Sequence, residues 1–417
     1  MQLSMTGFNR RPRGAVRAAG RRLLAASTAI AVAGALGGTV AAFSASASTK
    51  STKPTWTIGW TGDLSGPLAA FGKSDLVGNR AYFTYADKSG GIDGHNVKLV
   101  YLDTATTDAR GKTNVTQLIE ADHVITVSGL ISSTVCHAVA PLALSHKVPM
   151  FCQAAPSTVL KPLNPYMFST ASIQVAEAAP MLNFTKKLLG HGPKVRAAVI
   201  GVNSLDTTDF VHAVANAAKK AGDTVVATDL VPLTATTVSA QAAAIAAAHP
   251  SAVYTGLPAP LLESFDKELR ADKINAPIIS FTVGLTYAIM KSLNDPNLYQ
   301  LDEFAIVLPG STAASQAIHA FGDIGVKGAA NINTVVNMLG YMQGLMIGTA
   351  LKKCGSSCTP EKLAKVASRI SVNAPGVGRF GFTQTNHYGI KSYTMYRWSK
   401  GKPVAVAKNL KPGSITA

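Results

Sequence analysis

Ser133 follows Gly129-Leu130-Ile131-Ser132, at a point where a β-rich run gives way to a helical one. A serine there offers a hydroxyl beside the unpaired N–H groups of a first helical turn, which is the chemistry of a carboxylate site. The same residue type also serves as a plain N-cap. Asp206, before Thr207-Thr208, occupies a comparable position. It can receive an ammonium group or cap its own helix. His137 lies next to Cys136 and near Ser133, a spacing that suggests a Cys-His nucleophile. Four cysteines, Cys136, Cys152, Cys354 and Cys358, offer a different use. Cys354 and Cys358 flank the short Gly355-Ser356-Ser357 loop, which one disulfide closes, leaving Cys136 and Cys152 as the second pair. A metal site is the alternative, weakened by the distance between the pairs and the lack of a His-x-x-x-His partner; no metal and no cofactor are expected.

Catalytic signatures are scarce. There is no Gly-x-Ser-x-Gly elbow, no His-Glu-x-x-His and no phosphate-binding P-loop. Gly376-Val377-Gly378-Arg379-Phe380-Gly381 matches Gly-x-Gly-x-x-Gly, but Pro375 precedes it and no helical pattern follows, so a loop is expected. The chain is expected to bind rather than catalyse.

The elements that must position these residues alternate. Trp56–Trp60, Val97–Leu102, Val124–Ser128 and Val148–Cys152 read as strands; Phe71–Lys88, a segment capped by Asp108 through Ile119, and Ser133–Ser145 read as helices. A connector rich in Pro, Ser and Asn, Pro156–Thr170, separates this block from a second. There, helices over Ile173–Leu189, Thr207–Ala221 and Val238–Ala248 alternate with strands at Val195–Ile200, Thr224–Leu230, Ala252–Thr255, Ile278–Phe281 and Phe304–Leu308. A long helix over Ile332–Lys353, another over Thr359–Ile370 and a β-rich tail with Ser392–Trp398 close the chain. Such repetition calls for parallel sheets covered by helices on both faces.

Of the 417 residues, 47% are hydrophobic and 15% charged, enough for two domains with real cores. The net charge of +17 falls to +11 without the six arginines of residues 1–48. The remaining lysines are scattered without interleaved aromatics, which argues against nucleic-acid binding. Arginines up to Arg22, an uncharged stretch Leu23–Phe43 and the small residues Ala45-Ser46-Ala47 make the three-part layout of a secretory signal. An uncleaved anchor is the rival reading, and Arg21-Arg22-Leu23-Leu24 loosely resembles a twin-arginine signal. No cysteine stands near the cleavage site to take a lipid. The chain is therefore expected to be exported to the periplasm or cell exterior, not lipid-anchored, with residues 1–48 removed. In an exported chain Cys136 is better read as disulfide-bonded than as half of a Cys-His pair.

The strand ends place Ser65–Gly72, Ser132–Ser133, Cys152–Ser157, Asp206–Thr208 and Gly256–Pro260 where open parallel sheets bind ligands. Four segments carry a resemblance: SGPLAAFG at Ser65–Gly72, GGIDG at Gly90–Gly94 leading to Asp103, the helix TNVTQLIEADHVITVSG ending at Gly129, and GLISS at Gly129–Ser133. Their order and spacing resemble the leucine/isoleucine/valine-binding family of type I periplasmic binding proteins. The resemblance implies an α/β fold of two doubly wound parallel-sheet lobes joined by a three-crossing hinge near residues 173, 308 and 377. Residues 54–173 and 309–377 would form lobe 1, and 174–308 and 378–417 lobe 2. It implies ligand contacts at Ser65, Phe71 (an aromatic over the ligand), Ser132 and Ser133. Pro156 replaces the family's threonine, so Ala154 or Ser157 would substitute. The family's tyrosines fall at Asp206 and at Pro258 or Ala259, and its ammonium-binding acid at the uncharged Thr282. The implied function is an extracytoplasmic solute-binding protein of an ABC importer, a monomer that captures an amino acid, amide or carboxylate and hands it to a membrane permease. A sensing module of the same fold is the alternative.

Overall fold

The computed structural model describes residues 53–190, 194–282, 287–303, 335–374 and 378–415. The proposed signal segment, the Phe304–Leu308 strand and the crossings near 308 and 377 lie outside them. Two sheets organise the chain. The first is wholly parallel, in the order β2-β1-β3-β4-β5, with β1 Thr55–Gly62, β2 Asn96–Asp103, β3 Thr126–Gly129, β4 Met150–Cys152 and β5 Met167–Ser169. Helices α1 Ala69–Lys88, α2 Asp108–Glu120 and α3 Ser133–His146 connect its strands. β1, β3 and β4 are almost entirely buried, as expected for parallel strands covered on both faces.

The second sheet uses β6 Arg196–Val202, β7 Thr224–Val231, β8 Ala252–Gly256, β9 Ile278–Ser280 and β10 Leu298–Asp302, all parallel. An antiparallel edge, β13 Tyr393–Ser399 and β14 Lys402–Leu410, pairs with β10 and completes the order β14-β13-β10-β9-β8-β6-β7. Its helices are α4 Gln174–Leu188, α5 Leu205–Lys220, α6 Ser239–Ala247, α7 Ala259–Ala271 and α8 Tyr287–Leu293. The doubly wound α/β class is as expected. A long helix, α9 Val335–Cys354, returns to pack along α1, and α10 Pro360–Ala367 follows it. No helix among the described residues is long and apolar enough to cross a membrane.

Several local expectations change. The connector Pro156–Thr170 contains a strand, β5, whose Met167, Phe168 and Ser169 are all buried. Three residues are too few for periodicity to register. The β10 strand at Leu298–Asp302 and helices α7 and α8 stand where the sequence pattern marks no element. Asp108 is the first helical residue, not the cap; Thr107 holds the extended cap position. Gly378–Gly381 is strand β12, antiparallel to β11 Ser371–Ala374, so the Gly-x-Gly-x-x-Gly match opens no helix. Both disulfides form as paired above, with Cα–Cα distances of 6.2 Å for Cys136–Cys152 and 5.3 Å for Cys354–Cys358. Cys136 is thus no nucleophile, and His137 Nδ1 instead bonds Thr158 Oγ1 at 2.9 Å.

α1 and α9 pack backbone against backbone. A Cβ on Gly78 would meet the Asn337 carbonyl oxygen at 2.1 Å, and one on Gly340 the Asp75 carbonyl oxygen at 2.1 Å. This contact sets Gln343 of α9 against the ends of the first sheet. Its Oε1 accepts from Gly129 N–H at 2.8 Å, and its Nε2 donates to the Phe151 carbonyl at 2.9 Å.

Candidate functional site

Residues just past the carboxyl ends of both sheets line one cavity of ≈ 1010 Å³, open to solvent. From the first sheet come Ile131–Thr134 after β3, Gln153-Ala154 after β4 and Ala171-Ser172 after β5, with Leu68 and Phe71 from the β1–α1 junction. From the second come Val202–Ser204 after β6, Gly256 and Pro258 after β8, Phe281-Thr282 after β9 and Glu303 after β10. Parallel strands end together, so their connecting turns converge here.

Six sequence-predicted residues line this cavity: Phe71, Ser132, Ser133, Ala154, Asp206 and Thr282. Three do not. The Ser65 hydroxyl donates to Asp103 Oδ2 at 2.6 Å, which with Leu64 and Ser65 N–H groups ties the β1 turn to β2. These bonds hold the Asp103 carboxyl at about 2, overcoming the opposing push of burial. Ser157 begins a short 3₁₀ turn, and its hydroxyl donates to Asp209 Oδ2 at 2.6 Å. Ala259 is the first residue of α7, and Pro258 before it reaches the cavity instead.

Ser133 is not a cap. Ser132 holds the extended cap position of α3, its hydroxyl bonded to Thr134 Oγ1 at 2.9 Å. Ser133 Oγ accepts from the Asp206 N–H at 3.4 Å, on the opposite wall. Ser133→Ala is therefore expected to leave thermal stability nearly unchanged. A ligand bearing a carboxylate should bind about 10- to 150-fold more weakly, as loss of one hydrogen bond to a charged group requires. Calorimetric titration beside a melting curve separates the two; a lower Tm with intact affinity returns Ser133 to a structural role.

Asp206 is not the cap of its own helix either; Ser204 is, accepting from Thr207 N–H at 3.3 Å. Asp206 Oδ1 instead accepts from the Gln174 N–H at 3.1 Å, at the start of α4, where Ile173 has no capping side chain. Burial, reinforced by the nearby Glu177 charge, pushes its carboxyl well above the usual range.

Glu177 and Glu303, which sequence reasoning missed, complete the acidic wall. Glu177 Oε2 accepts from Thr282 N–H at 3.1 Å, and Oε1 from Thr282 Oγ1 at 3.0 Å. Thr282, the uncharged residue at the position of the family's acid, thus holds an acid from helix α4. Burial raises Glu177 to about 7 despite bonds from Ser172 and Thr282. Neither carboxylate oxygen of Glu303 has a hydrogen-bond partner, although the residue is only 6% exposed. Burial first, then the Glu177 and Asp302 charges, push it well above the usual range, with the Ser172 N–H pulling the other way. Gln153 Nε2 donates to Asp75 Oδ2 at 2.6 Å, leaving its Oε1 unpartnered, and Gln174 Oε1 is unpartnered too. No Lys, Arg or His is among the described residues lining the cavity, and no group of His, Cys, Asp and Glu among the described residues is arranged to hold a metal.

A family of sequences described as periplasmic binding protein matches residues 55–403. No curated protein matches the chain. Solved structures share the fold. A solute-binding protein of an ABC transporter from R. palustris, in complex with 4-hydroxybenzoate, superposes with a TM-score of 0.73 at 21% identity, over 87% of this chain and 98% of its own. A branched-chain amino acid ABC transporter protein from Thermus thermophilus with bound valine gives 0.76 at 15% identity, covering 87% and 97%. A leucine-binding protein from Thermotoga maritima gives 0.69 at 18%, covering 85% and 98%.

Proposed function

The chain belongs to the periplasmic binding protein family, and from that premise we propose that it captures a small polar solute by closing two lobes over it and presents the closed form to an ABC-type permease. The observation that carries this reading is a cavity walled by the turns of both sheets, with hydrogen bonds joining the segments that follow those sheets. Ser157 donates both its hydroxyl and its N–H to Asp209 Oδ2, at 2.6 and 3.2 Å, and Asp206 N–H reaches Ser133. A ligand that touches both walls shifts an open–closed equilibrium by its preference for the closed form. In this reading residues 54–173 with 309–377 form one lobe and 174–308 with 378–417 the other. β1–β5 fall in the first and β6–β10, β13 and β14 in the second, and α9 packs on α1 of the first, which supports the division in outline. β12 pairs with β11, and Phe382 and His387 pack on Phe168 of the first sheet, which argues for a last crossing beyond His387. Amino acids, amides and small carboxylates are the ligand classes to begin with, since the similar structures hold valine and hydroxybenzoate.

Closure is testable directly. Small-angle scattering of the purified protein should show a smaller radius of gyration when a binding solute is added; no contraction with any solute of these classes would reject the reading. Asp209→Ala removes the Ser157–Asp209 bond at a residue outside the cavity lining. It is expected to weaken apparent affinity about 5- to 30-fold by destabilising the closed form alone. An unchanged Kd in Asp209→Ala would show that the bond has no part in closure.

A further inference from the structure

The cavity has no cationic side chain among its described lining residues. Glu303 offers two carboxylate oxygens without partners, and Gln153 and Gln174 each offer an unpartnered amide oxygen. All three residues line the same space. Gln153 presents its Nε2 to Asp75 Oδ2 at 2.6 Å, which leaves Oε1 as its unpartnered atom. Glu177 and Asp206 add two more buried carboxyl groups, and no cationic side chain lies beside them among the described lining residues. Buried acceptors without donors, and buried carboxylates without counter-charge, are costly in a folded protein. They persist where a ligand supplies what is missing.

Resting on the solute-binding reading, we propose that the ligand is a small organic cation whose ammonium or amidinium group sits on Glu303 beside the Glu177–Thr282 pair. A primary ammonium carries three donors and an amidinium four, matching several converging acceptors. The rest of the ligand meets an apolar face made by Leu68, Phe71, Ile131 and Leu339. Ser172 sits between this acid pair and a tyrosine pair. Its hydroxyl bonds Tyr393 OH at 2.7 Å, and Tyr388 and Tyr393 share a hydroxyl–hydroxyl contact. The pole is therefore braced by the antiparallel edge of the second sheet. A simple benzoate, the ligand class of one similar structure, would place a second anion against these acids.

The experiment uses charge-matched probes on the purified full-length chain at neutral pH: benzamidine against benzoate and benzamide, and leucinamide against leucine and isocaproate. Titration calorimetry reads affinity and small-angle scattering reads closure. Benzamidine or leucinamide is expected to bind and contract the molecule, at least tenfold tighter than its neutral or anionic counterpart. Glu303→Gln is expected to weaken the cation about 10- to 150-fold. Because Glu303 lacks a partner in the unliganded protein, Glu303→Gln should also raise the Tm without ligand, an effect that a structural role for the carboxylate would reverse. Tighter binding of benzoate, isocaproate or benzamide overturns the cation assignment and leaves the solute-binding reading standing. Cation affinity within twofold of wild type in Glu303→Gln overturns the role of Glu303. Binding and contraction with none of the six probes, nor with any amino acid or carboxylate, overturns both.

Discussion

Asp75→Ala is expected to destabilise the protein by about 3–5 kcal/mol, because it strips the acceptor from a buried cluster of donors. Trp60 Nε1 donates to Asp75 Oδ1 at 2.8 Å, Asn79 Nδ2 to the same oxygen at 3.2 Å, and Gln153 Nε2 to Oδ2 at 2.6 Å. Trp60, Asp75 and Asn79 are fully buried. Asn79 keeps a second acceptor in Gln343 Oε1 at 3.2 Å, whereas the Trp60 indole N–H loses its only hydrogen bond among the described contacts. Each stranded buried donor costs about 1–3 kcal/mol, and the vacated volume adds a cavity term. The loss should depend on pH with a definite sign. Burial raises Asp75 to about 7, with bonds from Trp60, Gln153 and Asn79 pulling the other way. The folded state therefore holds this proton more tightly than the unfolded chain, whose carboxyl titrates near 3.8. Its contribution is fully present below about 4 and is lost as pH rises through about 7. Denaturant melts should show a larger gap between wild type and Asp75→Ala at pH 5 than at pH 8. A gap that widens toward pH 8 would contradict the raised carboxyl. Since Asp75 also orients Gln153, ligand affinity should fall along with stability.

Gly340→Val is expected to cost about 3 kcal/mol or more, a Tm drop of roughly 4 °C or more. The reason is the nature of the obstacle. The new Cβ would lie 2.1 Å from the Asp75 carbonyl oxygen and 2.8 Å from its carbon, and backbone cannot rotate away as a side chain can. The whole α1–α9 pair must separate, and Gln343, three residues on, would draw back from Gly129 and Phe151. Gly344→Ala makes the comparison. Its Cβ would meet the Tyr82 side chain at 2.9 Å, so a small ring movement offers relief and a smaller loss is expected. The measurement is calorimetric melting of both variants; equal losses would show that the helices yield more easily than close backbone contact implies. Asp75 and Gly340 touch, so the double variant should lose less than the sum of the single losses.

Much of this architecture is legible in the residues themselves. The alternation of short β-branched runs with amphipathic helices fixes a doubly wound α/β class, because only parallel strands linked by helices bury both kinds of pattern. The Cys136–Cys152 and Cys354–Cys358 pairs follow from spacing and an even count. Phe71, Ser132, Ser133 and Ala154 reach the cavity because turns after parallel strands must converge, whatever side chains they bear. What the sequence leaves open is which buried polar group serves which helix. Asp206 caps α4 rather than its own α5, and Ser157 bonds Asp209 rather than lining the cavity; both partners lie far away along the chain, and only packing sets those distances. Thr282 looks like the loss of an acid until folding carries Glu177 onto it from a residue 105 positions earlier. Glu303 was hidden by a boundary. With the strand expected at Phe304–Leu308, it preceded the element; with β10 at Leu298–Asp302, the same strand-end rule puts it in the cavity. Local pattern determines that a strand exists, but its ends depend on hydrogen bonding to β9 and β13, an interaction between segments distant in sequence.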